Sequence, residues 1–177
     1  SNLGPGMAVG DINGDGLDDV FIGGAYMSSG SLFIQLPDGR FETRFIPGEE
    51  YEDLGAVFFD ADADGDLDLY VASGGSERYA GHKGYQDRLY LNDGNGNFTI
   101  DEGSLPEVNS STSVVVAGDF DQDGDLDLFV GGRVSPGEYP KAPQSYILKN
   151  QSGKFVDVTD DVCPALKEIG MVSSAVW

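Results

Sequence analysis

Basic residues are scarce in this chain: ten Lys and Arg stand against 31 Asp and Glu in 177 residues, a formal net charge of -21. Nucleic acid is therefore not expected as a partner, because phosphate binding needs a basic face. An anionic membrane surface is disfavoured on the same ground. Cys163 is the only cysteine, so no intrachain disulfide can staple the fold, and the redox compartment stays open. No apolar run approaches the ~20 residues of a membrane helix, so no membrane insertion is expected in this segment. Long stretches of helical period are also missing. The first residue is Ser1 and no leader is visible, which fits removal of an upstream part.

What is present is an apolar content of 40% and an aromatic content of 11%, too high for a disordered acidic chain. The length suffices for one good-sized core. The acidic residues are not scattered. The pattern D-x-[DN]-x-D-G-x-x-D begins at Asp11, Asp60 and Asp119, so the copies lie about 50 and about 60 residues apart.

Each copy sits between two short β-type stretches: Met7-Ala8-Val9 and Val20-Phe21-Ile22, then Ala56 to Phe59 and Leu69-Tyr70-Val71, then Val114 to Ala117 and Leu128-Phe129-Val130. A third stretch follows in each unit (Ser31 to Gln35, Arg88 to Leu91, Ser145 to Leu148). Next comes a turn rich in Gly, Asn and Asp, and then a closing stretch (Phe41 to Ile46, Phe98 to Asp101, Phe155 to Thr159). The turn residues supply the positive φ that tight hairpins require.

Four short antiparallel strands per repeat predict an all-β β-propeller segment, with blades over about 4–47, 54–102 and 112–160. A connector and the first strand of a fourth blade fill 161–177, and a short helix over 162–169 is left open. Three blades do not close a ring, for which four to eight are typical. Self-association through the open propeller edges is therefore expected.

The repeated loops point to calcium. In a tight acidic turn, positions 1, 3 and 5 converge on one point, Gly at position 6 allows the reversal, the carbonyl of position 7 faces inward, and position 9 closes the cage. The ligand sets are Asp11, Asn13, Asp15, the Leu17 carbonyl and Asp19; Asp60, Asp62, Asp64, the Asp66 carbonyl and Asp68; and Asp119, Asp121, Asp123, the Asp125 carbonyl and Asp127. An all-oxygen set selects a hard cation and disfavours zinc. Flexible protein oxygens favour calcium over magnesium, so about three Ca2+ are expected, one per blade. An EF-hand is excluded, because position 12 is Ile22, Val71 and Val130 where that motif needs Glu.

Val9-Gly10-Asp11-Ile12-Asn13-Gly14-Asp15-Gly16-Leu17-Asp18-Asp19-Val20-Phe21-Ile22-Gly23-Gly24-Ala25 closely resembles the signature of FG-GAP/VCBS repeat proteins, relatives of the integrin α-subunit propeller. Leu89 to Phe98 resembles the later part of a VCBS unit. That resemblance spans nearly the whole chain. It implies a seven-bladed propeller in an exported protein, extracellular, cell-surface or periplasmic, and bacterial chains of this appearance include some that end in an ASPIC/UnbV-type domain. It also implies adhesion or the binding of a glycan or protein ligand. The chain departs from the usual repeat by insertions over Gly74 to Gln86 and Arg133 to Pro143. The first insertion carries Arg78, Tyr79, His82 and Tyr85, the residues singled out for a ligand.

Two other readings stay open. A calcium-dependent polysaccharide lyase or hydrolase would use His82, Lys83 or Tyr85 as base, although no G-x-S-x-G, zinc motif or phosphate loop is present. A purely structural role would have the blades space other domains of a larger exported protein.

Overall fold

The structure, a computed structural model, describes residues 4–108 and 110–177. It is an all-β arrangement of three four-stranded antiparallel sheets, each a meander in chain order. The first sheet contains β1 (Met7–Gly10), β2 (Asp19–Ile22), β3 (Gly30–Gln35) and β4 (Phe41–Ile46). The second contains β5 (Asp53–Phe59), β6 (Asp68–Ser73), β7 (Arg88–Asn92) and β8 (Phe98–Asp101). The third contains β9 (Ser111–Gly118), β10 (Asp127–Val134), β11 (Tyr146–Asn150) and β12 (Phe155–Asp157). In every sheet the acidic loop is the hairpin between the first and second strands.

Side-chain alternation decides how the sheets stack. On β3, residues 30, 32 and 34 are buried and their neighbours half-buried, as expected for a sheet covered on one face. β6 is buried at every position, because the second sheet is covered on both faces. Leu69 and Val71 pack with Phe21, Leu32, Ile34 and Ile46 of the first sheet. Tyr70 and Ala72 point the other way, into a cluster with Leu128, Val130, Leu148 and Phe155 of the third. The far face of the first sheet stays uncovered, with Met7 at 63% and Phe41 at 49% exposure.

First strands of successive sheets meet at glycines. A Cβ on Gly6 would lie 2.7 Å from the Gly55 carbonyl carbon, and one on Gly55 would lie 2.6 Å from the Ser113 carbonyl oxygen. Backbone cannot yield as a flexible side chain does. Gly55→Ala is expected to destabilise the fold by about 1–3 kcal/mol through this clash. Urea unfolding at saturating calcium would measure it, and an unchanged midpoint would refute the close-packed reading.

The chain after the third sheet holds two short turns and then an irregular tail. The open helix over 162–169 is divided into one α-helical turn, Thr159–Val162, and a 3₁₀ turn, Pro164–Glu168. Cys163 between them has φ -154° and ψ 77°, outside the α region that the residue before a proline avoids. Residues 170–177, read as the opening strand of a fourth blade, form no regular element. Val172 N–H donates to Gly132 O (2.9 Å), and Trp177 covers Gly118. A ladder partner for this segment is missing among the described residues. No helix there is long and apolar enough to cross a membrane.

Candidate metal centres

The acidic hairpins share one internal architecture. The carboxylate at position 1 folds back over its own turn: Asp11 accepts from the N–H of Asp15 (3.1 Å) and Gly16 (2.8 Å). Asp60 accepts from Ala63 (2.8 Å) and Gly65 (3.1 Å), and Asp119 from Asp123 (3.2 Å) and Gly124 (3.1 Å). Gly16, Gly65 and Gly124 at position 6 have φ of 85°, 97° and 98°, where a Cβ would be strained. At position 5, Asp15, Asp64 and Asp123 each accept the N–H of position 7, held by Leu17, Asp66 and Asp125. The Asp125 carboxylate turns away to accept from Ser152 N–H (3.0 Å), and that of Asp66 lies against Gly94. Only main-chain oxygen is then left to position 7 as a metal donor.

Position 9 is the structural pivot. Asp19, Asp68 and Asp127 are 0%, 1% and 0% exposed. One oxygen of each accepts from position 2 of its loop, Ile12 (3.2 Å), Ala61 (2.9 Å) or Phe120 (3.1 Å). The other accepts from the last residue of the third strand, Gln35 (2.8 Å), Asn92 (2.9 Å) or Asn150 (2.8 Å). Asn92 and Asn150 escaped the sequence reading, which left them among turn residues. Their side-chain amides donate to Ile12 O and Ala61 O of the preceding sheet's loop, both at 2.8 Å, so each loop is clamped to the next sheet. The signal available was an Asn at nearly the same offset after two of the three loops.

Carboxylate oxygens of Asp60, Asp62 and Asp68 lie within 4.8 Å of one another, and so do those of Asp119, Asp121 and Asp127. These are positions 1, 3 and 9 in register, and each cluster can hold a metal ion. In the first loop the same positions are Asp11, Asn13 and Asp19, with a neutral amide in place of one anion. Burial pushes the Asp68 carboxyl up to about 6, and the neighbouring charges of Asp62 and Asp64 push the same way against its two amide donors. Asp19 and Asp127 are raised by burial as well. Such a site favours a proton or a cation over an isolated anion, and its hard oxygen donors suit calcium.

The residues of the first insertion lie at the opposite end of the strands. Tyr85 is 1% exposed; its hydroxyl accepts from Arg78 N–H (3.0 Å) and donates to Arg78 O (2.9 Å), so it shapes the loop. His82 Nδ1 accepts from Gly84 N–H (2.9 Å) and its ring meets the Tyr79 ring edge-on at 5.0 Å. The Arg78 guanidinium stacks over Tyr26, 5.1 Å from the ring centre. Tyr26, Arg78, His82 and Tyr79 thus form one contiguous strip, with Tyr26 and Tyr79 60% and 73% exposed. Beside it lies a cavity of about 160 Å³ lined by Tyr26, Glu52, Glu77, Arg78 and Tyr85.

A buried carboxylate joins the second and third sheets. Asp87 accepts from Tyr70 OH, Ser73 N–H and Thr112 OH, each at 2.7 Å. Burial raises its carboxyl to about 7, against those hydrogen bonds and the nearby Arg88 charge. A raised carboxyl contributes stability that is complete below its unfolded value of 3.8 and is lost as pH rises through about 7. The stability difference between wild type and Asp87→Asn should therefore move against wild type from mild acid to neutral pH. Urea midpoints of both proteins across that range test this, and parallel profiles would contradict it.

Three four-stranded sheets, each opened by an acidic hairpin and clamped to its neighbour, define a protein of repeated propeller-like blades. The family profile described as FG-GAP-like repeat matches residues 11–71 and 74–130, more than half of the chain. The chain belongs to that family. No curated protein matches it significantly.

Proposed function

We propose that this chain is a calcium-stabilised, ligand-binding propeller segment of an exported protein, holding one Ca2+ in each of its three acidic hairpins. The observation that carries the reading is the convergence of positions 1, 3 and 9 within 4.8 Å at two equivalent loops. Packing those carboxylates together is repulsive without a cation. The bound ion ties the first strand of each blade to the second, and through Asn92 and Asn150 to the neighbouring blade. The uncovered face of the first sheet supports a larger ring. Met7, Ile22 and Phe41 stand at the positions that Val115, Val130 and Phe155 use in the third sheet to pack against the second.

The ligand is a glycan or a protein surface, received on the strip Tyr26–Arg78–His82–Tyr79 away from the calcium loops. Exposed tyrosines held by a stacked guanidinium offer flat, preordered surface with hydrogen-bonding edges. Calorimetric titration of the chelator-stripped protein with calcium tests the metal part, with three sites expected and no heat above dilution as the refuting result. Glycan-array and surface-protein screening tests the ligand part. Tyr79→Ala should abolish most of any signal without changing the calcium isotherm, and a signal indifferent to Tyr79 and Tyr26 would move the ligand elsewhere.

A further inference from the structure

The third loop differs from the other two in one residue outside the motif. The residue before the third-strand clamp is Ile34 in the first sheet, Leu91 in the second and Lys149 in the third. Equivalence follows from hydrogen bonding, because the next residue, Gln35, Asn92 or Asn150, donates its N–H to the position 9 carboxylate in each sheet. Ile34 is buried in the cluster between the first and second sheets, and Leu91 packs against the cluster between the second and third. Lys149 instead reaches back over its own hairpin, where its ammonium contacts Asp121 Oδ2 and lies 3.0 Å from Asp123 Oδ2. Those are positions 3 and 5 of the loop. The side chain is only 26% exposed, so the ammonium is held along the sheet and does not wave freely in water.

We infer that Lys149 is a tethered competitor for the cation of the third hairpin, making that site weaker than the second and the last of the pair to fill. This rests on the calcium reading above. The chemistry is simple charge balance. Asp121 and Asp123 must turn their oxygens to an incoming divalent ion, and an ammonium already bonded to both must give them up or remain as a like charge beside the metal. The second loop has the same carboxylates at Asp60, Asp62, Asp64 and Asp68 and an apolar leucine where the lysine would be. The same contact gives the metal-free third hairpin a partial neutralisation that the second lacks. The device therefore separates the two sites: one responds to calcium over a lower range, while the other is kept ordered without metal and responds over a higher range.

The test uses the whole chain with the second loop disabled by Asp60→Asn and Asp62→Asn, so that the third loop is compared only with the first. Calcium is titrated by calorimetry, with terbium luminescence as a second readout. Lys149→Leu should strengthen one site by up to about fivefold, the scale of one exposed charge pair, leaving the other site unchanged. Lys149→Gln, which keeps a polar surface should the leucine impair folding, should do the same. Lys149→Arg retains the cation and should stay weak. In the absence of metal, Lys149→Leu should melt lower than wild type. Unchanged affinities in Lys149→Leu and Lys149→Gln, with calcium still binding, would overturn the competition and leave the calcium reading intact. No calcium binding by wild type at all would overturn both.

Discussion

Returning calcium to the chelator-stripped chain is expected to raise its melting temperature by on the order of 10 °C or more. Each loop that binds only in the folded state contributes about 2.7 kcal/mol when calcium stands a hundredfold above its Kd. A domain of this size gains about 2–4 °C per kcal/mol, so one filled loop shifts the transition by about 5–10 °C. The effect is large because the metal-free loops carry buried charge: Asp19, Asp68 and Asp127 are all raised by burial. A bound calcium would replace the proton these carboxylates otherwise favour. Magnesium at equal concentration should give a clearly smaller shift, since it keeps its waters and demands a stricter octahedron. Asp68→Asn should remove the second loop's share of the shift. Scanning calorimetry in chelator, calcium and magnesium measures all three, and a melting temperature indifferent to calcium would end the proposal.

The loops were legible from sequence because their chemistry is local. A turn of nine residues with fixed glycine and alternating carboxylates has one sensible geometry, so Asp60, Asp62 and Asp68 fall together wherever the chain goes next. Strand centres were legible too, since β-branched and aromatic runs bounded by turn residues leave little choice. Strand ends were not. β5 begins at Asp53, three residues before the apolar stretch that marked it, because Asp53 is held by Gly6, Gly24 and Arg88 from other parts of the chain. β10 runs on to Val134 past Gly131 and Gly132, through register shifts that no composition rule announces.

Contacts between repeats were the least legible. Asn92 and Asn150 read as turn residues because their partners, Ile12 and Ala61, lie 80 and 89 residues away. Lys149 stands out only once β11 is aligned with β3 and β7 through their shared hydrogen bond to position 9. The two-sided burial of β6 leaves Tyr70 and Asp87 in contact at the middle of the molecule, although nothing around Tyr70 in sequence distinguishes it from a half-exposed strand residue. What sequence lacked in each instance was the identity of the neighbouring sheet.

The second large effect should come from Arg88, which the sequence showed only as the start of a strand. Its guanidinium donates to Asp53 Oδ1, to Tyr90 OH (3.0 Å) and to Ser73 Oγ (3.4 Å), and it stacks on Tyr51 at 4.1 Å. The Arg88 and Asp53 side chains are 4% and 3% exposed. The other Asp53 oxygen accepts from Gly24 N–H (2.7 Å) in the connection between β2 and β3, so the pair ties the second sheet to a loop of the first. Arg88→Met removes the cation and leaves Asp53 buried and uncompensated, and is expected to destabilise by about 3–5 kcal/mol. Asp53→Asn strands the arginine in turn. The double variant removes both charges and should recover part of the loss, so the two single effects will not add. Asp53 and Asp60 begin and follow the same strand, about 20 Å apart at 3.3 Å per residue. The calcium affinity of the second loop should thus be unchanged in the double variant while its urea midpoint falls. Strict additivity would show that the pair is not a coupled unit, and a weakened second loop would show that the strand transmits strain from one end to the other.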